Sequence, residues 1–207
     1  ANYDWGQHTS EFMRENNIPD FSYIRDFWKE HKPLGASEAD FVPVMPDQLE
    51  TKEGMDQRAV YDYVVGKISR GEQFFAILQG PAGCGKSFLF RAWRTELARR
   101  IKFLGTTGVA ALIVNGETPH TCARLPVNRP FELLGASLAV MQSENQGVKM
   151  FALDERSMLG RKTGGQLWAR AEEMTEGRPG TIGGISVLLS GDDMQLPPVL
   201  QKAIWDV

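Results

Sequence analysis

The 207-residue chain has no apolar run of some eighteen residues, so its sequence offers no membrane-spanning helix. Cysteine is nearly missing: Cys84 and Cys122 stand far apart and in no metal-ligand spacing. That excludes a disulfide-stapled secreted scaffold and a zinc-ribbon pattern, and it fits a reducing, intracellular compartment. No internal repeat occurs, which excludes a solenoid. The first ten residues, ANYDWGQHTS, contain neither an initiator Met nor a basic-then-apolar leader, so the start reads as an excised or processed piece. Strong net charge is missing too. A balance of −3 argues against a simple basic nucleic-acid module.

The charge is unevenly placed. Of 26 acids and 23 bases, residues 1–50 carry ten and four, leaving sixteen and nineteen for residues 51–207. An acidic leader therefore precedes a mildly basic body. The leader is also rich in aromatics and proline (Trp5, Phe21, Phe27, Trp28, Pro33, Pro43 among them), too apolar for a disordered tail. Residues 20–30 place Phe21, Ile24, Phe27 and Trp28 at helical spacing, and FVPVMPDQL beyond them reads as an extended connector. Residues 1–50 are thus expected to form a packed appendage.

From residue 51 the pattern alternates strand and helix. Helices are expected over 57–68, 87–100, 108–114, 135–143 and 161–176. Short apolar strands are expected over 74–79, 102–106, 149–153 and 185–190. The strand at 74–79 reads as buried, and 176–184 reads as a glycine-rich loop. This is the pattern of an α/β domain: a mostly parallel sheet with helices on both faces, spanning residues 51–207.

GPAGCGKS (80–87) matches the phosphate-binding loop G-x-x-x-x-G-K-[ST] and lies between an expected strand and an expected helix. Gly80, Gly83 and Gly85 let backbone N–H groups turn toward phosphate oxygens, with Cys84 in a variable position between them. Lys86 reaches the β- and γ-phosphates, and the Ser87 hydroxyl can ligate Mg²⁺. KMFALDE puts Asp154 and Glu155 at the carboxyl end of an apolar strand. Asp154 suits the metal, and Glu155 suits activation of an attacking water, which favours hydrolysis over phosphate transfer to a small molecule. Downstream, LLSGDDMQLPPV places Gln195 where a γ-phosphate sensor could sit, on a loop stiffened by Pro197 and Pro198.

Taken in order, these pieces resemble the superfamily 1 helicases that run 5′→3′ on DNA, in the PIF-type and Helitron branch. Asp56-Gln57 resembles the Q motif, GPAGCGKS motif I, GTTGVAALIVNGETPHTCARLP (105–126) motif Ia, LDERSMLG motif II and GDDMQLPPV motif III. The resemblance covers residues 51–207. It implies a RecA-like fold with the motif III strand between those of motifs I and II, and adenine recognition by Gln57. It further implies ATP or ADP with Mg²⁺ as cofactors, and a role as a DNA helicase in repair and recombination. Single-stranded DNA would be held by Thr107, Gly108, Thr118 and His120, the last two on a loop.

Two positions depart from the family pattern: Thr106 replaces proline, and Asp193 replaces phenylalanine. The family's second RecA-like domain and its finishing arginine are not found before Val207, so the chain is expected to bind nucleotide but not to unwind DNA alone. A nucleotide-dependent single-strand clamp and a small-molecule kinase remain alternatives. The kinase leaves TGVAA…TPH and QLPPV unexplained.

Overall fold

A computed structural model describes residues 44–49, 51–52, 55–81, 83–125, 135–175, 181–192, 196–198 and 201–204. Most of the expected appendage, including the helix expected over 20–30, lies outside them. Within the connector, Pro46–Gln48 form one 3₁₀ turn rather than an extended run. Proline fixes φ at a helical value, so it can open such a turn. Val44 and Leu49, on either side, are buried in the domain's core.

A two-residue hairpin, β1 (Thr51–Lys52) with β2 (Met55–Asp56), leads into helix α1 (Gln57–Arg70). The Asp56 carboxylate caps α1 by accepting from Ala59 N at 2.8 Å, and Gly71 ends the helix at φ 69°. There follow β3 (Phe75–Gln79), α2 (Lys86–Leu97), β4 (Ile101–Gly105), α3 (Gly108–Ile113), α4 (Pro119–Cys122), α5 (Ala136–Glu144), β5 (Met150–Asp154), α6 (Arg161–Met174) and β6 (Ser186–Gly191). The strands form one parallel sheet in the order β3-β6-β5-β4. The motif III strand therefore does lie between those of motifs I and II.

Strand alternation divides the core in two. Met150 and Ala152 of β5 face a cluster built with Tyr61, Val64, Leu89, Phe90 and Trp93 from α1 and α2. Phe151 and Leu153 face the opposite cluster, with Met141 of α5 and Leu167, Ala171 and Met174 of α6. Every residue of β5 is buried, as a central strand covered on both faces requires.

β3 corrects an expectation. Among the described residues it pairs only with β6, and Phe75 and Ile77 are 55% and 63% exposed. Apolar composition marked it as a strand, but burial depends on what lies over its face, which composition does not encode. Thr181–Gly184 also forms a short 3₁₀ turn within the expected loop, and Ile182 there takes φ 55°.

Candidate nucleotide and DNA site

Parallel register brings four strand ends together. Gln79 pairs with Gly191 and Gly105 with Asp154, so every carboxyl end lies on one edge of the sheet. This is the edge at which open α/β sheets bind ligands. Gly80 N donates to Gly191 O at 3.3 Å, joining the phosphate loop to the end of the motif III strand.

The loop's glycines serve separate purposes. Gly83 and Gly85 hold φ of 78° and 85°, a region that costs any other L-residue strain. A side chain at Gly85 would also sit 2.3 Å from Gln57 Nε2, and one at Gly80 would sit 2.6 Å from Cys84 Sγ. Beyond Gly85, α2 points its amino end into the loop, anchored by the buried Leu89, Phe90 and Trp93. Lys86 opens that helix, and its Nζ donates to the Gly80 and Pro81 carbonyls at 2.6 and 2.9 Å, across the mouth of the loop. Ser87 follows, half-buried. Gln57 is buried against the loop, where its Nε2 donates to Cys84 O at 3.4 Å.

Asp154 ends β5 with 6% of its surface exposed. Its Oδ1 accepts from the buried Ser190 Oγ of β6 at 2.8 Å. Glu155 follows in the left-handed region at φ 57° and ψ 48°. Burial pushes its carboxyl above the usual range, and Asp154 and Asp192 push the same way while Lys86 pulls it back. A carboxylate that holds its proton more tightly is also the stronger base, which is what water activation asks of it. Gln195 and Asp193 lie outside the described residues.

Motif Ia begins where β4 ends. A side chain at Gly105 would meet Ala111 N at 2.1 Å, so α3 packs directly on the strand end. Thr107 caps α3, its Oγ1 accepting from Ala110 N at 3.1 Å, which leaves the hydroxyl proton for an outside acceptor. Gly108 is exposed, with nothing within 4 Å of where a side chain would begin.

Thr118 and His120 were expected on a loop. Instead Thr118 caps the four-residue α4, accepting from Thr121 N at 3.2 Å, and His120 stands exposed within that helix. Pro119 at the first helical position makes so short a turn possible. Thr107 and His120 meet on a pocket of about 200 Å³ completed by Thr106, Met158, Thr163, Pro198 and Gln201. Gly108 and Thr118 are not on its wall. A larger cleft, about 510 Å³, runs beside β4 along Arg94, Lys102 and Glu117 and holds none of the expected site residues.

Ser190 and Thr106 were not among the expected site residues. Each acts across the sheet on a partner far away in sequence, and only strand order reveals such a pair. The available signals were a serine, Ser190, near the end of a mostly apolar strand, and at 106 a threonine where the family pattern has proline.

The phosphate loop, the acidic strand end beside it and the strand order define a P-loop nucleotide-binding domain of RecA-like fold. Comparison with known proteins narrows the class. The PIF1-like helicase family model matches residues 53–205, and the chain belongs to that family. The chain is 34% identical to the ATP-dependent DNA helicase Pif1 of Bdellovibrio bacteriovorus over 68% of its length and 34% of that relative's. Its identity to the ATP-dependent DNA helicase PIF1 of Emericella nidulans is 29%, over 93% of this chain and 25% of that one. Among solved structures, Bacteroides Pif1 in complex with ADP-AlF3 and single-stranded DNA shares the fold. Its TM-score is 0.56 at 21% identity, covering 69% of this chain and 34% of that one. The chain thus spans about a third or less of the length of these relatives.

Proposed function

We propose that this chain is the first, ATP-binding motor domain of an intracellular, ATP-dependent DNA helicase that moves along single-stranded DNA. One observation carries the reading. The strand that ends in Asp154, just before Glu155, lies in register with the strand that runs into the Thr107 turn, which supports nucleotide chemistry and DNA contact along one edge of the sheet.

The loop glycines and the amino end of α2 cradle the phosphates, and Lys86 Nζ exchanges its loop carbonyls for the β- and γ-phosphate oxygens. Gln57, whose Nε2 donates to Cys84 O, would read the adenine. Ser87 and Asp154 are hard oxygen donors suited to Mg²⁺, which binds through one or two carboxylates plus phosphate rather than a full protein cage. When bound, that ion would neutralise charge developing on the phosphates. Ser190 holds Asp154 in one orientation, Glu155 takes a proton from the attacking water, and Gln195 senses the γ-phosphate. Thr107, Gly108, Thr118 and His120 would donate to backbone phosphates of the single strand.

A second RecA-like domain of the full-length protein would bring the arginine that completes such sites, worth roughly 10³–10⁵ in rate. On this reading residues 1–207 by themselves bind ATP or ADP, hydrolyse it slowly and do not unwind DNA.

Binding of a fluorescent ATP analogue in Mg²⁺, with anisotropy of a labelled oligo-dT, tests this reading. Wild type should bind both, and Lys86→Ala should weaken the nucleotide at least about tenfold while leaving oligo-dT unchanged, because charge-assisted phosphate contacts are lost. Equal nucleotide affinity in the two proteins would refute the assignment of the cradle. Nucleotide binding without any oligo-dT binding would refute its DNA half.

A further inference from the structure

We propose that Thr106, at the position where the family pattern has proline, is a positioning residue for the water-activating Glu155. The proposal rests on the functional reading above and extends it to a residue that the motifs do not assign.

The geometry is specific. β4 and β5 end in step, Gly105 opposite Asp154, so the next residue of each, Thr106 and Glu155, are neighbours. Thr106 Oγ1 donates to the Glu155 carbonyl at 2.9 Å, and Thr106 N approaches Asp154 O at 3.4 Å. The Glu155 carbonyl also accepts from Met158 N at 3.1 Å, so both of its lone pairs are engaged. These bonds act on a residue whose backbone needs holding, because Glu155 sits at φ 57°, where a non-glycine residue persists only if its surroundings fix it. Proline at 106 could make neither link, having no N–H and no hydroxyl.

The other side of Thr106 is equally tight. Gly105 packs against the backbone of α3 with no room for a side chain, and Thr107 is that helix's cap. Thr106 therefore links the turn expected to hold DNA phosphate to the backbone of the carboxylate expected to activate water. It lines the same 200 Å³ pocket as Thr107 and His120. The hydroxyl sets where the Glu155 carboxylate stands relative to the γ-phosphate and contributes nothing to nucleotide affinity.

The test is single-turnover hydrolysis of radiolabelled ATP by excess 207-residue chain, beside equilibrium binding of a fluorescent ATP analogue. The proteins compared are wild type, Thr106→Val, Thr106→Ser and Glu155→Gln. Thr106→Val keeps the shape and removes the donor, and should slow hydrolysis about tenfold with analogue affinity within about twofold of wild type, the signature of a misplaced catalytic group. Thr106→Ser should restore the rate to within about twofold. Thermal melts of all four proteins check folding, and Thr106→Ala replaces Thr106→Val if that variant melts early. Wild-type hydrolysis by Thr106→Val, an equal loss of rate and affinity, or failure of Thr106→Ser to rescue would overturn the proposal. Equal rates for wild type and Glu155→Gln would instead overturn the reading on which it rests.

Discussion

At the scale of single residues, the site depends on hydrogen bonds that hold acids in place. Asp154 was legible in the sequence because an acid pair closing an apolar strand follows a phosphate loop. Its orientation was not legible: Ser190 Oγ reaches it across 36 residues of sequence, and Thr106 reaches Glu155 across 49. Both partners become neighbours only once β6 and β4 flank β5. Ser190→Ala removes the donor and leaves Asp154 one bond short in a buried setting. The Mg²⁺ concentration that half-saturates binding of an ATP analogue should rise roughly tenfold, in line with loss of a group that orients a metal ligand. A magnesium titration checks this, and an unchanged midpoint would mean that β5 alone orients Asp154. Gly80, Gly83 and Gly85 were readable because their spacing is itself the signal. That Gly85 also leaves room for Gln57 was not.

At the scale of elements, helix and strand positions followed from periodicity. α1, α2, α3, α5 and α6 and the four sheet strands all lie within a few residues of expectation. What escaped was short or set by tertiary context. α4 has four residues, fewer than a helical repeat needs to show itself, and its evidence lies in the Thr118-Pro119 pair that starts it. The exposure of Phe75 and Ile77 on β3 escaped for the opposite reason, since an apolar run looks the same at an edge as in the centre of a sheet.

The cradle's rigidity belongs to this scale as well. α2 is held by Trp93, fully buried beside Phe90, while among the described residues its Nε1 finds no hydrogen-bond partner. Trp93→Ala should cost about 3–5 kcal/mol through cavity formation. Trp93→Phe should stay within about 1 kcal/mol, because it loses ring area but also relieves an unsatisfied buried donor. Urea unfolding at constant m-value checks both. A Phe variant as unstable as Ala would show that the indole nitrogen has a partner.

At the scale of the whole molecule, the described domain is built on one four-stranded parallel sheet with the candidate site along one edge. No described helix is long and apolar enough to cross a membrane. Family membership rests on residues 53–205, while the chain covers about a third or less of the relatives it matches. The modest positive balance of residues 51–207, nineteen bases to sixteen acids, is small for a DNA-binding surface. Grip on a single strand would then come from placed donors such as Thr107 and His120 more than from bulk charge. We propose that this domain holds a nucleotide it hydrolyses efficiently only when a second RecA-like domain closes on it.

The decisive experiment is steady-state ATP hydrolysis by the purified 207-residue chain as a monomer, with and without single-stranded DNA. Slow turnover that DNA barely raises is expected, with marked DNA stimulation appearing once a second domain is supplied. Robust DNA-stimulated turnover by the monomer alone would contradict it.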